Sequence, residues 1–373
     1  MNYCRRSGPF FFSFSNKLSR KFRYLTTLDF HCNINLCTRR KLILMSTEEH
    51  SIFLGQESEC YYAIDPRLNP ELQESLTGKN VFVAGAGRGI GQRCATFFAY
   101  AAARSLTLIS LEIDEVDETA KACQKINPAL LTKIARVDVC DAERVKDIMD
   151  EVKRDFGGVD VLLVNAGRPP QWLPTGDSDP KIWWETVAVS LQGAFNCSRF
   201  ALPMMKKKGG SIIFTASAGA HSNYGMASYT IGKLGMIRLC EILHQENFEQ
   251  HSIKTFAINP GCVRTRFITD FEEFLDKQPK EGSYLRTGVP GEIQSAEMAT
   301  RTLSGVNFDT PELAAGLVVV LASGKLDFMS GRYIDAKRNI AEYMAEEDEI
   351  RTKDLHRVRL HVSDNRFMPS SHF

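Results

Sequence analysis

Long apolar runs, paired cysteines and clustered histidines are what this 373-residue chain lacks. Its longest apolar stretch near the C-terminus, 313–322, is far short of a bilayer span, so no membrane association is expected. The ten cysteines include no Cys-x-x-Cys pair, and the eight histidines fall at no metal-ligand spacing. No metal site is therefore expected, and scattered single cysteines point to thiols in a reducing compartment. A dominant charge sign is missing too, since the net charge is only +1. That total hides an asymmetry. Residues 1–45 carry nine Lys/Arg against the single acid Asp29, which makes +8 there and leaves −7 for the remainder. A mildly acidic body offers no attraction to nucleic acid. The 43% hydrophobic content is that of an ordinary globular protein able to build a sizeable core.

The basic leader, 1–45, clusters Ser and Phe over 10–15, the composition of a mitochondrial transit peptide. The preferred alternative is that translation starts at Met45 and the leader is upstream sequence. A cytoplasmic location follows from that preference, and a mitochondrial one from the transit peptide. Residues 46–75 hold Pro66 and Pro70 without strong periodicity and are expected to form an N-terminal arm.

Residues 76–340 then turn regular. Apolar runs at Asn80–Ala84, Leu106–Leu111, Leu131–Val137, Val159–Val164, Ser211–Thr215, Ile253–Ile258 and Arg332–Ile334 predict strands. Helical patterns separate them at Gly89–Ala103, Glu115–Ile126, Ala142–Phe156, Pro180–Lys206, Ala227–Asn247 and Pro311–Ala322. Continuous apolar strands alternating with helices imply an α/β fold: one doubly wound parallel sheet of about seven strands, with helices on both faces. The stretch Phe267–Asn307, broken by Pro279, Gly282, Gly288, Pro290 and Gly291, is expected to be an irregular lid or mobile loop. Together with 168–177 it is the expected seat of substrate specificity. Residues 341–373 form a charged tail, in which Glu346–Arg359 predicts a solvated helix or extension.

Between the first strand and first helix lies Ala84-Gly85-Ala-Gly87-Arg88-Gly89-Ile90-Gly91. Glycines there permit a tight turn and let a pyrophosphate approach the backbone, with the helix N-terminus facing the anion. The residue that meets the adenosine ribose falls about twenty positions on, near Ser110-Leu111-Glu112. Glu112 would bind two ribose hydroxyls and favour NAD(H). Ser110 at the strand tip, with Arg88 in the loop for a 2′-phosphate, tips the expectation slightly to NADP(H). Asp138 and Val139 end the third strand, where Asp138 suits an adenine amino group or a simple helix cap. Asn165-Ala166-Gly167 ends the fourth. Pro260-Gly261-Cys262-Val263-Arg264-Thr265 ends the sixth and would grip a carboxamide through a backbone turn and the Thr hydroxyl.

Tyr229 and Lys233 stand four residues apart, on one face if the segment is helical, with Ser217 twelve residues upstream. The ammonium is expected to lower the phenol from its usual value of about 10, suiting it to general acid/base work. His221 and His244 are read as surface or satisfied histidines, since no acid partner at triad geometry can be argued, and Cys262 beside the Pro-Gly turn as packing. Trp183 and Trp184 either line a substrate mouth or wedge their helix against the core.

In combination and in this order, the glycine loop, Asn165-Ala-Gly, Ser217 with Tyr229-x-x-x-Lys233, and Pro260-Gly261 leading to Thr265 resemble the short-chain dehydrogenase/reductase family. The resemblance is to its single-domain branch and covers about 76–336. Asp179-Pro180 with Trp183-Trp184, Gly219-Ala220-His221 and Ser330–Asp335 look like fungal members. The resemblance implies a Rossmann-type fold and an NAD(P)-dependent oxidoreductase interconverting a small-molecule ketone or aldehyde and an alcohol. Tyr229 would be the general acid/base, Lys233 its tuner and ribose ligand, and Ser217 the group orienting the substrate oxygen. It also implies a homodimer or homotetramer formed through the helices at 180–206 and 227–247. Two positions depart from the family pattern. Ala84 stands where Thr is usual, and Ser190 stands where an Asn serves a water-mediated proton path. Those departures motivate an alternative, a cofactor-binding protein with weakened catalysis that acts as sensor or structural subunit. A sugar-nucleotide epimerase shares the Tyr-Lys pair but has different glycine spacing and a distinct C-terminal substrate domain.

Overall fold

A computed structural model describes residues 53–221, 224–276, 282–363 and 366–367. The basic leader, with its two readings, lies outside the described residues, as do the start of the arm and the last part of the tail. Seven strands, β1 (Asn80–Ala84), β2 (Ser105–Ser110), β3 (Leu131–Arg136), β4 (Val161–Val164), β5 (Gly210–Thr215), β6 (Ile253–Asn259) and β7 (Arg332–Asp335), form one sheet. Its order is β3-β2-β1-β4-β5-β6-β7 and every pairing is parallel. The order reverses between β1 and β4, so their carboxyl ends open the crevice where ligands bind in sheets of this kind.

The helices are α1 (Pro70–Gln73), α2 (Gly89–Tyr100), α3 (Ile113–Ile126), α4 (Ala142–Phe156), α5 (Pro180–Val187), α6 (Gly193–Met205) and α7 (Ala227–His251). They continue with α8 (Arg266–Asp276), α9 (Glu292–Leu303), α10 (Pro311–Ser323), α11 (Ile340–Ala345) and α12 (Glu347–Thr352). One core packs Phe97, Phe98 and Val318 of α2 and α10 against Val83 and Leu108. The other packs Val145, Ile148, Cys197 and Met236 of α4, α6 and α7 against Phe82, Leu162 and Phe214. Covered on both faces, β1 and β4 are buried at every position, which is why their sequences are continuous apolar runs rather than alternating ones.

Three expectations need correction. The predicted helix over 180–206 is interrupted: α5 and α6 are joined by a π-helical segment, Ala188–Gln192, which contains Ser190. The predicted irregular stretch 267–307 contains two helices. Phe271 of α8 packs with Leu285 and with Ala296 and Ala299 of α9 in a small separate core. The turn residues read as breakers fall between the helices, and i, i+3 and i+4 apolar spacing drives the rest.

The charged end is not merely solvated. Glu241 of α7 is buried and takes hydrogen bonds from Val358 N and Arg359, while Asp354 pairs with Arg332, Arg357 and Arg359. Tyr333 N–H of β7 donates to His356 O at 2.8 Å and Arg357 Nε to Gly331 O at 3.2 Å, so this stretch runs along the β7 edge. No helix of the described residues is long and apolar enough to cross a membrane.

Candidate active site

The carboxyl ends of β1, β4, β5 and β6 bring the sequence motifs together. Asn165 N and Ala166 N both donate to Ala84 O at 2.9 Å, and Asn165 Nδ2 donates to Gly85 O at 2.9 Å. The glycine loop is thus tied through backbone groups and Asn165. Thr119 of α3 adds a hydroxyl that reaches Ala86 O at 3.1 Å. These bonds secure the loop even though Ala84 offers no hydroxyl.

The fit at the glycines is close. Gly85 has φ +84°, and a Cβ there would lie 2.6 Å from Ala166 N. A Cβ on Gly91 would lie 1.9 Å from Gly85 O, and one on Gly89 would lie 2.8 Å from the Thr265 methyl. Val263 and Thr265 face Gly87, Arg88 and Gly89 across a cavity of about 360 Å³. This cradle at the α2 N-terminus suits the pyrophosphate of a dinucleotide. Ile90 packs against the core below it.

Charge at the ribose end is arranged as the sequence alone could not show. Arg88 pairs with Glu112 at 3.1 Å and with Glu115 at 3.2 Å, and Ser110 Oγ donates to Glu112 at 3.4 Å. Burial pushes the Glu115 carboxyl up, against the pull of Arg88. Asp138 accepts from Cys140 N at 2.8 Å in a local turn, while the cap of α4 is Asp141, which accepts from Arg144 N at 3.0 Å. Val139 is buried, and its carbonyl accepts from Asn196.

Ser217 Oγ accepts from Gly219 N at 3.0 Å, and Ser217 Oγ and the Tyr229 ring both border Gly219, a Cβ there falling 3.2 Å from one and 3.0 Å from the other. Both Tyr229 and Lys233 lie on α7 and are buried. Lys233 Nζ donates to Thr215 O at 2.6 Å and lies 5.6 Å from the Tyr229 ring centre. Gly167, at the end of the Asn-Ala-Gly turn, faces that ammonium, a Cβ there falling 3.6 Å from Nζ.

The expected lowering of the phenol does not appear. Burial pushes Tyr229 up to about 12, with only the Ser217 hydroxyl opposing it, and pushes Lys233 down to about 8. Desolvation outweighs the mutual attraction of two groups whose charges are not in direct contact. Ser190 is fully buried, and its Oγ has no hydrogen-bond partner among the described residues. It packs against Gly232, one residue before Lys233, where an added Cβ would come within 3.0 Å of its own Cβ.

The segment expected to act as a lid or loop supplies an aromatic wall that sequence reasoning missed. Phe267 lies 5.4 Å from the Tyr229 ring and 6.4 Å from Tyr284, while Arg88 lies over Tyr284 at 5.7 Å. Arg168, directly after the Asn-Ala-Gly turn, joins Arg286 of the lid on Glu185 of α5. Trp183 and Trp184 form an edge-on pair at 4.8 Å, and Trp184 is exposed.

Comparison with known proteins decides the family. Residues 79–275 match the family model described as short chain dehydrogenase. The chain belongs to the short-chain dehydrogenase family. Short-chain dehydrogenase mpl6 of Monascus purpureus is 35% identical over 290 residues, covering 76% of this chain and 89% of that protein. Short-chain dehydrogenase pigC of Monascus ruber is 27% identical over 323 residues, covering 85% and 96%. Among solved structures, carveol dehydrogenase from Mycobacterium avium, in complex with NAD, superposes with a TM-score of 0.59 at 22% identity, covering 70% of this chain and 97% of that one. A short-chain dehydrogenase from Shigella flexneri complexed with NADP gives 0.58 at 19% identity, covering 71% and 100%. At those identities the likeness is one of fold. Family membership and the seven-stranded parallel sheet agree with the expectation drawn from the motifs, fungal relatives included.

Proposed function

We propose that the protein is an NAD(P)-dependent oxidoreductase that interconverts a ketone or aldehyde and an alcohol. The observation that carries this reading is the convergence of Ser217, Tyr229 and Lys233 at the carboxyl end of the sheet that also holds the glycine cradle and the Asn165-Ala166-Gly167 turn. When bound, the nicotinamide supplies or accepts a hydride at the carbon bearing the reacting oxygen. The chain does the rest. Gly85–Gly91 and the α2 N-terminus hold the pyrophosphate, and the Pro260–Thr265 turn faces them across the cavity. Ser217 orients the substrate oxygen. Tyr229, a buried and protonated phenol, donates its proton to that oxygen in reduction and takes it back in oxidation. Lys233 keeps a positive charge beside the site and anchors the ribose.

The charge pattern at the ribose end supports NAD(H), reversing the slight NADP(H) preference expected from sequence. A 2′-phosphate would have to displace Glu112 from Arg88, whereas ribose hydroxyls donate to Glu112 as it stands. Exposed Trp184, Phe195 and Ile231 on α5, α6 and α7 support a homo-oligomer built on those helices. The described cysteines are all unpaired, which supports a reducing compartment such as the cytoplasm.

The test is turnover of ketones, acetophenone and cyclohexanone among them, with each reduced nicotinamide. Tyr229→Phe is expected to abolish turnover while leaving cofactor affinity intact. Tight cofactor binding with no turnover that Tyr229→Phe changes would instead favour the sensor reading, for which the unpartnered Ser190 is the motivating observation.

A further inference from the structure

Ser217 owes its place to buried groups well separated from it in sequence. The next residue, Ala218, donates its N–H to Asn259 Oδ1 at 3.0 Å. Asn259 ends β6 and donates through Nδ2 to Asp335 Oδ1 at 2.9 Å. Asp335 ends β7 in register with Asn259, and both are buried. Its other oxygen accepts from Leu54 N at 2.7 Å, and Oδ1 also accepts from Lys337 N at 3.0 Å.

The polarity of this chain is fixed. The backbone N–H of Ala218 can only donate, and Asp335 already accepts from two backbone N–H groups, so Asn259 must present its oxygen to Ala218 and its amide nitrogen to Asp335. A flipped Asn259 would set donor against donor and acceptor against acceptor inside the core.

The same arm reaches the opposite wall of the site. Glu57 N donates to Lys337 O at 2.8 Å, and Gly55 lies so close that a Cβ would fall 2.2 Å from that oxygen. Lys337 pairs with Asp309, whose Oδ2 accepts from Cys262 N in the Pro260-Gly261-Cys262 turn at 2.7 Å. Ser58 O accepts from Thr310 N beside it at 2.8 Å.

We infer that the arm at 54–58, with the buried Asn259–Asp335 pair, is a positioning strap that holds Ser217 on one wall of the site and the Pro260–Cys262 turn on the other. The inference rests on the reading of Ser217 as the group that orients the substrate oxygen. None of the strap residues is placed against substrate or cofactor. They act through Ala218 and Cys262.

The experiment uses the full chain, acetophenone as the ketone probe, and Asp335→Asn, Asn259→Asp and the double variant. Each single change opposes like groups in the core. The expected result is a fall in kcat of about tenfold or more, since a misplacement near 1 Å is enough for such a loss. Calorimetric affinity for the reduced cofactor should stay within about threefold, because the glycine cradle is untouched. The double variant restores donor-to-acceptor order between the two side chains but turns an N–H toward Lys337 N, so it should be less impaired than Asn259→Asp alone and no better than Asp335→Asn, a coupling that independent sites would not show. Gly55→Ala, which crowds Lys337 O without touching the buried pair, should also lower kcat more than affinity, and it serves if the core variants do not fold. Unchanged kcat in Gly55→Ala and Asp335→Asn would overturn the strap. So would losses in kcat, affinity and melting temperature that move together, or a double variant no better than Asn259→Asp. Ser217→Ala separates the two readings: if it keeps full turnover, the role of Ser217 fails, and the strap fails with it for a different reason.

Discussion

Replacing Lys233 with methionine should make the protein more stable and less active. Lys233 is 2% exposed, and burial holds its amine down to about 8, against an ordinary 10.5. A charged lysine at neutral pH therefore costs the folded state about 3 kcal/mol. Methionine has nearly the same length and carries no charge. It also leaves Thr215 O without the donor now 2.6 Å away, a loss of about 1–2 kcal/mol. The net gain is about 1–2 kcal/mol, or about 2–3 °C in melting temperature for a domain of this size. The pH dependence follows from the sign of the shift. Between 8 and 10.5 the unfolded chain binds a proton that the folded one does not, so folding becomes easier as pH rises. The advantage of Lys233→Met should be full below about pH 8 and fade toward 10.5. Melting of the cofactor-free protein at pH 7 and pH 10 tests it. A variant melting below the parent at pH 7, or a gap unchanged at pH 10, refutes the reasoning.

Gly91→Ala places a methyl 1.9 Å from Gly85 O, so the α2 N-terminus must withdraw and cofactor affinity should fall by about a hundredfold or more by calorimetry. Gly78→Ala is its control, since φ is +77° but nothing lies within 4 Å; it should cost about 1 kcal/mol of stability and no affinity. Glu112→Gln weakens a partly exposed ion pair with Arg88 and should shift the NADP(H)-to-NAD(H) affinity ratio upward by up to about fivefold in a binding titration. Burial holds Glu292 of the lid up at about 7, opposed by Arg168 and Arg286. Its folded form prefers the proton, so stability should fall as pH rises from 4.5 to 7, and Glu292→Gln should flatten melting temperature over that range.

The sheet was legible because its central strands, β1 and β4, are near-continuous apolar runs, and the cofactor cradle because its glycines fall between a strand and a helix. Boundaries moved by a few residues, as in α7, which runs on to His251. Long-range partners were not legible. Nothing local in Leu54, Asn259 and Asp335 shows that they meet, since 281 residues separate Leu54 from Asp335. Proline and glycine between 279 and 291 masked α8 and α9, whose small core needs Trp172 from a distant loop. The charge on Arg88 was visible, but not that Glu112 and Glu115 already claim it. The phenol expectation failed for a related reason: i, i+4 spacing places two groups on one face but says nothing of the water each loses.

The segment along β7 bears on how the sheet ends. An open strand edge is a template on which another chain can add. At the β3 edge the chain sets charged Lys133 and Arg136, and Lys133 is held by Glu151 and Asp155. At the β7 edge it uses its own backbone, with His356 taking the Tyr333 N–H. A chain cut before Asp354 would free that donor and invite strand-to-strand growth, seen as concentration-dependent association. With His356 in place, a second copy finds this donor taken.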